Sequence, residues 1–341
     1  MTTKYIVLIL SVLCAIFVSF WLQLSRAVPS DLLEGSETAS VDAKFIERQV
    51  DAALQPLPLI EQYNEQWVQL GKALFKSPLL SVDNTVSCAS CHDLYNGGDD
   101  GFPVSLGVNQ QLGERNSPTV INSAFNFRQF WDGRSATLAE QVHGPIHNPV
   151  EMATNWPQVI AKLTAQPGFL KSFNALSADG INAENIVKAL VLFEESLVSE
   201  DTPIDRYLLG DISALSEQQQ RGLQKFMNFG CITCHQGKNI GGNLYQKIGR
   251  LDSVPQSLLT DLGRFNQTNN EEDKHVFKVP SLRNVTLTAP YFHNGSVDEL
   301  SEAIRIMAKG QLGLNLSDED ILDLEALFHA FEGQLPRSLV Q

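Results

Sequence analysis

The sequence predicts a mainly helical chain of two related units with long loops, preceded by an N-terminal hydrophobic helix. Three observations carry this. Apolar residues recur at three- and four-residue intervals in one stretch after another, the helical period. No convincing run of alternating strand residues is visible. One pattern, C-x-x-C-H, occurs twice: Cys88, Cys91 and His92 in "SCASCHD", and Cys231, Cys234 and His235 in "GCITCHQG".

The hydrophobic helix comes first. From Tyr5 to Leu24 no residue is charged, a length that spans a bilayer and exceeds the usual core of a cleaved signal peptide. "SRA" before Val28 offers a cleavage site, yet the length favours a retained anchor. Leu13 argues against lipidation of Cys14, because a small residue is expected there. Lys4 on the inner side puts the body outside the cytoplasmic membrane. The expectation is a periplasmic protein, anchored to the inner membrane by residues 5–24 or released after cleavage.

The chain divides into a leader (1–28), a tether (29–60), an N-terminal unit (61–205) and a C-terminal unit (206–335). "EQWVQLGKALFKSPLLS" has helical spacing ahead of the first C-x-x-C-H, and "LYNGGDDGFPVSLGVNQQLGERNSP" after it reads as a long loop, of the kind that is often functional. "NWPQVIAKLTAQ" and "NAENIVKALVLFEESLV" are helical, and "EDTPIDRYLLGD" breaks the pattern near 200–214. Ser216 and Gln219 form a capping box for "SEQQQRGLQKFMNFG", with Gly230 as its stop. "SVDELSEAIRIMAKG" repeats that scheme with Ser296, Glu299 and Gly310, and "DEDILDLEALFHAFEG" is the last helix. "LGKALF" and "RGLQKF" precede the two motifs as a faint internal repeat.

The spacing of the motif has a chemical reason. Two thiols so placed add to the two vinyl groups of one haem, and the adjacent histidine becomes the proximal iron ligand. A zinc site needs four ligands where each cluster offers three. A thioredoxin-like pair needs no histidine and follows a βαβ pattern absent here. The reading is two covalently bound haem c groups in two cytochrome c-like units, which fits export. The net charge of −14 argues against nucleic acid as a partner; it suits either plain solubility or steering of a small basic electron carrier.

The sixth iron ligand decides the chemistry. For the second haem Met307 in "AIRIMAKGQLG" is the choice among four methionines, since a thioether raises the potential; the competing reading is a core side chain of an amphipathic helix. For the first haem no His or Met occurs between His92 and His143, so loop 94–130 offers no strong ligand and the iron is read as open. His143 and His147 lie within reach from further along, or are polar loop or helix-packing residues.

"ERNSPTVINSAFNFRQFWDGRSATLAEQ", "GPIHNPVEM", "VPSLRNVTLTAPYFHNGS" and "MAKGQLG", with the two haem motifs, give a resemblance. From about residue 62 to 332 the chain resembles the bacterial di-haem cytochrome c peroxidases, a group that includes the methylamine-utilisation tryptophan-oxidising enzymes. The resemblance implies that His92 ligates a low-potential peroxidatic haem, and that His235 and Met307 ligate a high-potential haem where electrons enter. It implies Trp131 between the haems, Glu151 as the acid–base residue and Gln141 as its polar neighbour. Asn116, Thr288 and Pro290 match a calcium site, with no EF-hand-type acidic cluster. By themselves Glu151 reads as a surface carboxylate and Trp131 as a core aromatic.

The implied activity is reduction of hydrogen peroxide to water. The implied donor is a small c-type cytochrome or cupredoxin, or a quinol if the anchor is retained. A homodimer is common in the family, though the sequence shows no diagnostic interface. The chain departs from the family where many members carry a distal histidine, twenty-three residues before the tryptophan: here stands Val108. Two rivals are an oxidase of a protein or small-molecule substrate, disfavoured because its representatives use tyrosine where Met307 stands, and a plain di-haem electron-transfer cytochrome.

Overall fold

The computed structural model describes residues 53–58 and 63–335. The expected anchor at 5–24 and most of the tether lie outside them. Among the described residues no helix is long and apolar enough to cross a membrane.

The fold is mainly helical. Its first half carries α1 (Glu65–Phe75), α2 (Leu138–His147), α3 (Trp156–Thr164), α4 (Pro167–Leu176) and α5 (Ala183–Ser196). Then follow α6 (Pro203–Leu208), α7 (Glu217–Asn228), α8 (Leu300–Leu312) and α9 (Asp318–His329). Two short strands, β1 (Tyr245–Lys247) and β2 (Val276–Lys278), pair antiparallel with Tyr245 opposite Lys278. At three residues each they are too short to show an alternating pattern in sequence.

α1 begins where the Asn64 side chain accepts from the N–H groups of Gln66 and Trp67, satisfying donors that the first turn leaves free. Its buried face, with Leu74 and Phe75, packs on Phe193 of α5 and on the core that holds Val159 and Phe173. Each such side chain contributes about 1.5–3 kcal/mol by leaving water. The faint repeat now has a physical meaning. A Cβ on Gly71 of "LGKALF" would lie 2.0 Å from the Ala189 carbonyl oxygen of α5, and one on Gly222 of "RGLQKF" 2.0 Å from that of Asp323 in α9. In both halves a glycine lets the helix before the haem motif press on the last helix.

The capping box of Ser216 and Gln219 is present, and Gly230 follows α7 in the left-handed region at φ 91°. The scheme for α8 differs from expectation. Glu299 itself occupies the cap without a side-chain bond, and the helix runs through Gly310 to stop at Gly313, φ 67°. Gly310 is small because the loop carrying Leu251 and Val254 crosses the helix there, with Leu251 N–H donating to its carbonyl at 2.9 Å. α2, which contains Pro145, and α4 are additions to the expected helices.

The segment expected as a junction is clamped rather than loose. Arg283 is fully buried and forms a two-pronged ion pair with Asp205 of α6, at 2.7 and 2.9 Å. Its Nε also donates to the Lys238 carbonyl at 2.6 Å. Removing one partner of such a pair leaves an uncompensated buried charge. Asp205→Ala is expected to destabilise the protein by about 3–5 kcal/mol, read from the urea midpoint. Replacing Arg283 as well, with Met, should recover part of that loss.

Candidate active site

Each C-x-x-C-H opens on its own cavity. Ser87 precedes a one-turn helix, Cys88–Cys91, and its hydroxyl lies 3.2 Å from that of Ser90. The turn presents Cys88, Cys91 and His92 to a cavity of about 440 Å³. The second motif, a 3₁₀ turn at Cys231–Thr233, presents Cys231, Cys234 and His235 to a cavity of about 190 Å³. The four cysteines are free of disulfides. Burial pushes the thiols of Cys91 and Cys231 up to about 11, so they are neutral thiols, the species that adds to a vinyl group. Burial likewise lowers His92, and takes His235 down to about 4, leaving neutral imidazoles able to ligate iron. His92 Nδ1 sits 3.2 Å from the Gly98 carbonyl, which leaves Nε2 for the metal. Paired thiols, a neutral imidazole and a roomy wall on each side fit two haem groups.

The structure brings the expected residues together in two sets. Glu151 and Gln141 line the first cavity with Cys88, Cys91 and His92. Met307 lines the second with Cys231, Cys234 and His235. Trp131 lines both, and among the described residues that border either cavity it alone is shared. Its indole N–H donates to the Asn116 carbonyl at 2.9 Å.

Glu151 has its carboxyl raised above the ordinary range by burial, against the opposing pull of an Asn148 amide 2.6 Å away and of the Arg134 charge. Arg134 is fixed by Asp132 at 3.0 Å and lies over the Phe130 ring. Val108 is buried and donates its backbone N–H to the Glu151 carbonyl at 2.8 Å, so its loop braces the acid from behind. His143 and His147 do not border the first cavity. Their rings stack parallel to each other at 6.3 Å and meet Trp156 edge-on.

Asn116 is buried; its Nδ2 donates to the Phe102 carbonyl and its backbone N–H to that of His293. Thr288 Oγ1 bonds the Val285 carbonyl, and Pro290 follows a cis peptide. Among the described residues no group of three His, Cys, Asp or Glu is arranged to hold a metal.

The chain is similar to known proteins. Residues 65–213 match the family described as di-haem cytochrome c peroxidase. The chain is 40% identical to the cytochrome c551 peroxidase of Pseudomonas aeruginosa, over 93% of this chain and 95% of that protein. The chain belongs to the di-haem cytochrome c peroxidase family. It is an oxidoreductase of the peroxidase class, and membership implies two haem groups. It is 44% identical to cytochrome c peroxidase Ccp of Escherichia coli over 82% of its own length, but spans only 61% of that relative. A solved MauG-like protein associated with microbial copper homeostasis superposes with a TM-score of 0.73 at 26% identity, covering 84% of this chain and 94% of that one.

Within this family member, three residues escaped the sequence reading. Met152 also lines the first cavity, as part of its apolar core. Asp99 is buried, and neither carboxylate oxygen has a hydrogen-bond partner. Glu194 of α5 borders the first cavity, and burial drives its carboxyl up to about 8. Only "FEES" at a helix end signals it, and that reads as a solvated pair. Because the folded state holds this proton more tightly than the unfolded chain, stability falls as pH rises from the ordinary carboxylate range to about 8. Glu194→Gln should remove a slope of about 1.4 kcal/mol per pH unit, measured by denaturant unfolding at pH 5, 6, 7 and 8.

Proposed function

We propose that the chain reduces hydrogen peroxide to two waters with two electrons and two protons. The observation that carries this is the asymmetry of the cavities: Glu151 and Gln141, a carboxyl and an amide able to handle protons, border the first, no carboxylate among the described residues borders the second, where Met307 stands, and Trp131 lines both. The haem thioether-linked at Cys88 and Cys91 would supply the iron that takes peroxide, and the one at Cys231 and Cys234 the electrons of an external donor.

The chain's own residues then have separable tasks. His92 would hold the iron of the first haem, and His235 with Met307 that of the second, where a thioether favours the reduced metal. Glu151, its carboxyl raised above the ordinary range by burial, moves a proton from the near peroxide oxygen to the leaving one. Asn148 fixes the orientation of the acid, and Gln141 offers an amide to the same space. Trp131 shortens the electron path between cavities. Val108 offers no iron ligand, so the first iron stays open without prior reduction.

Asn116, Thr288 and Pro290 would hold a calcium ion through one side-chain oxygen and two carbonyls, completed by water. Asp99, buried and without a hydrogen-bond partner, lies within electrostatic reach of Tyr291, and burial raises its carboxyl to about 7. The two halves, 61–205 and 206–335, act as cytochrome c-like haem domains. The site of action is the periplasm, with residues 5–24 as the membrane anchor. The donor is a small cytochrome c or cupredoxin, or quinol at the membrane, with the acidic surface favouring a basic protein donor.

Turnover of peroxide with reduced cytochrome c tests the reading. Glu151→Gln is expected to lower kcat by about 10²–10⁴-fold while leaving both haems in place by absorption. The fully oxidised protein should show a high-spin signal and bind cyanide. No turnover with any of these donors, or a wholly low-spin oxidised spectrum, overturns it.

A further inference from the structure

The second cavity is walled almost entirely by apolar side chains, Phe226, Ile304 and Leu324 among them. Into it projects a lysine. Lys278 closes β2, is 6% exposed, and lines the cavity. Its ammonium has no carboxylate or hydrogen-bond partner among the described residues; burial alone acts on it. A buried cation without a counter-ion is costly, and proteins pair such charges. His293 lines the same cavity, is 2% exposed, and its Nε2 is buried without a partner. The ring is held rigidly, stacked on Phe277 at 4.2 Å and edge-on to Trp131 at 6.2 Å. Two unmet nitrogen groups thus face one apolar cavity, both beside Trp131. Lys278 is tied to that residue a second time, since its backbone N–H donates to the Trp131 carbonyl at 2.8 Å.

We propose that Lys278 and His293 form a carboxylate clamp that seats a propionate of the haem in the second cavity against Trp131. The inference rests on the haem-binding reading given above. A propionate is the anionic, acceptor-only group that both nitrogens lack. Charge-assisted bonds from an ammonium and an imidazole N–H are the strong kind in an apolar wall. The clamp does two things. It presses one edge of the macrocycle toward the shared indole, and it neutralises a negative charge near the iron. Neutralisation favours the reduced iron, so Lys278 raises the potential of the Met307-side haem beyond what the thioether gives.

The test uses the full-length holoprotein. Pyridine haemochrome analysis counts haems, and a visible redox titration follows the Met-ligated one. Lys278→Gln should raise the oxidised-to-reduced ratio of that haem at a fixed applied potential about tenfold, a fall of about 59 mV for one electron. Lys278→Arg, which keeps the charge, should stay near wild type, and His293→Phe should shift the same way as Lys278→Gln. Two haems with unchanged potential in Lys278→Gln overturn the clamp and leave the haem reading intact. Fewer than two haems in the wild-type chain overturns the haem reading itself. If Lys278→Gln does not mature, an unchanged potential in His293→Phe, or a fall in Lys278→Arg as large as in His293→Phe, overturns the clamp.

Discussion

The backbone and indole of Trp131 are fastened at opposite ends. Its indole N–H donates to the Asn116 carbonyl at 2.9 Å, and its own carbonyl accepts from Lys278 at 2.8 Å. The next residue, Asp132, is 1% exposed and accepts from both Arg115 and Arg134. Arg115 reaches on to Asp261 at 2.6 Å. The strip that separates the two cavities is therefore pinned from the first half by Asn116 and Arg115, and from the second by Lys278 and Asp261. Held this way, the indole packs against the second apolar cluster while bordering the first cavity. A buried, hydrogen-bonded network of this kind specifies one geometry, because any partial arrangement leaves a charge unmet.

Around this strip the same scaffold is used twice for different ends. Gly71 and Gly222 each let a helix lie directly on a carbonyl of the last helix of its half. In the first half the pair is sealed by aromatic packing, with Phe75 and Phe193 ring centres 5.2 Å apart. In the second it is also stapled by charge, as Lys225 bridges Asp320 and Asp323 at 2.9 and 2.8 Å. What differs functionally lies outside the helix pairs, in the loops. The first half brings the part-buried carboxyl of Glu151 to its cavity from the turn after α2; the second brings the thioether of Met307 from α8. The two cavities thus diverge by what the loops and one helix face carry, not by the helical frame.

The parts legible in the sequence were those with a local physical cause. Paired thiols with a following histidine, the capping box of Ser216, and the periodic stripes of α1, α5 and α9 each declare themselves within a few residues. The end of α8 misled because Gly310 looks like a stop; a loop crossing the helix, a contact made by residues more than fifty positions upstream, explains the glycine instead. α2 was hidden by Pro145, though a proline in its last turn disturbs little. Burial of Lys278, Asp99 and Glu194 was not legible at all. Charged residues in short strands, turns and helix ends are ordinarily solvated, and only the tertiary arrangement puts them inside. Trp131 and Glu151 were placed by resemblance; their residue types alone favoured core packing and surface.

Those buried groups share one property. Asp99, Lys278 and His293 each have polar atoms that nothing else in the described chain satisfies, and Glu194 is neutralised only by taking a proton. In a protein of ordinary marginal stability, a few such groups consume a large part of the folding free energy. Natural chains retain them when something that binds the folded state supplies the missing partner, because its binding free energy then adds to that of folding. A cation beside Asp99 and an anion beside Lys278 would have opposite charges, and the two groups flank the same pinned strip. Asn116 stands between them: its backbone N–H meets the His293 carbonyl, its own carbonyl holds Trp131, and its side chain faces the loop after Asp99. Asn116 thus joins the backbone of His293, the indole of Trp131 and the loop after Asp99 in one set of hydrogen bonds, and a change at any of the three is passed to the other two by that residue alone.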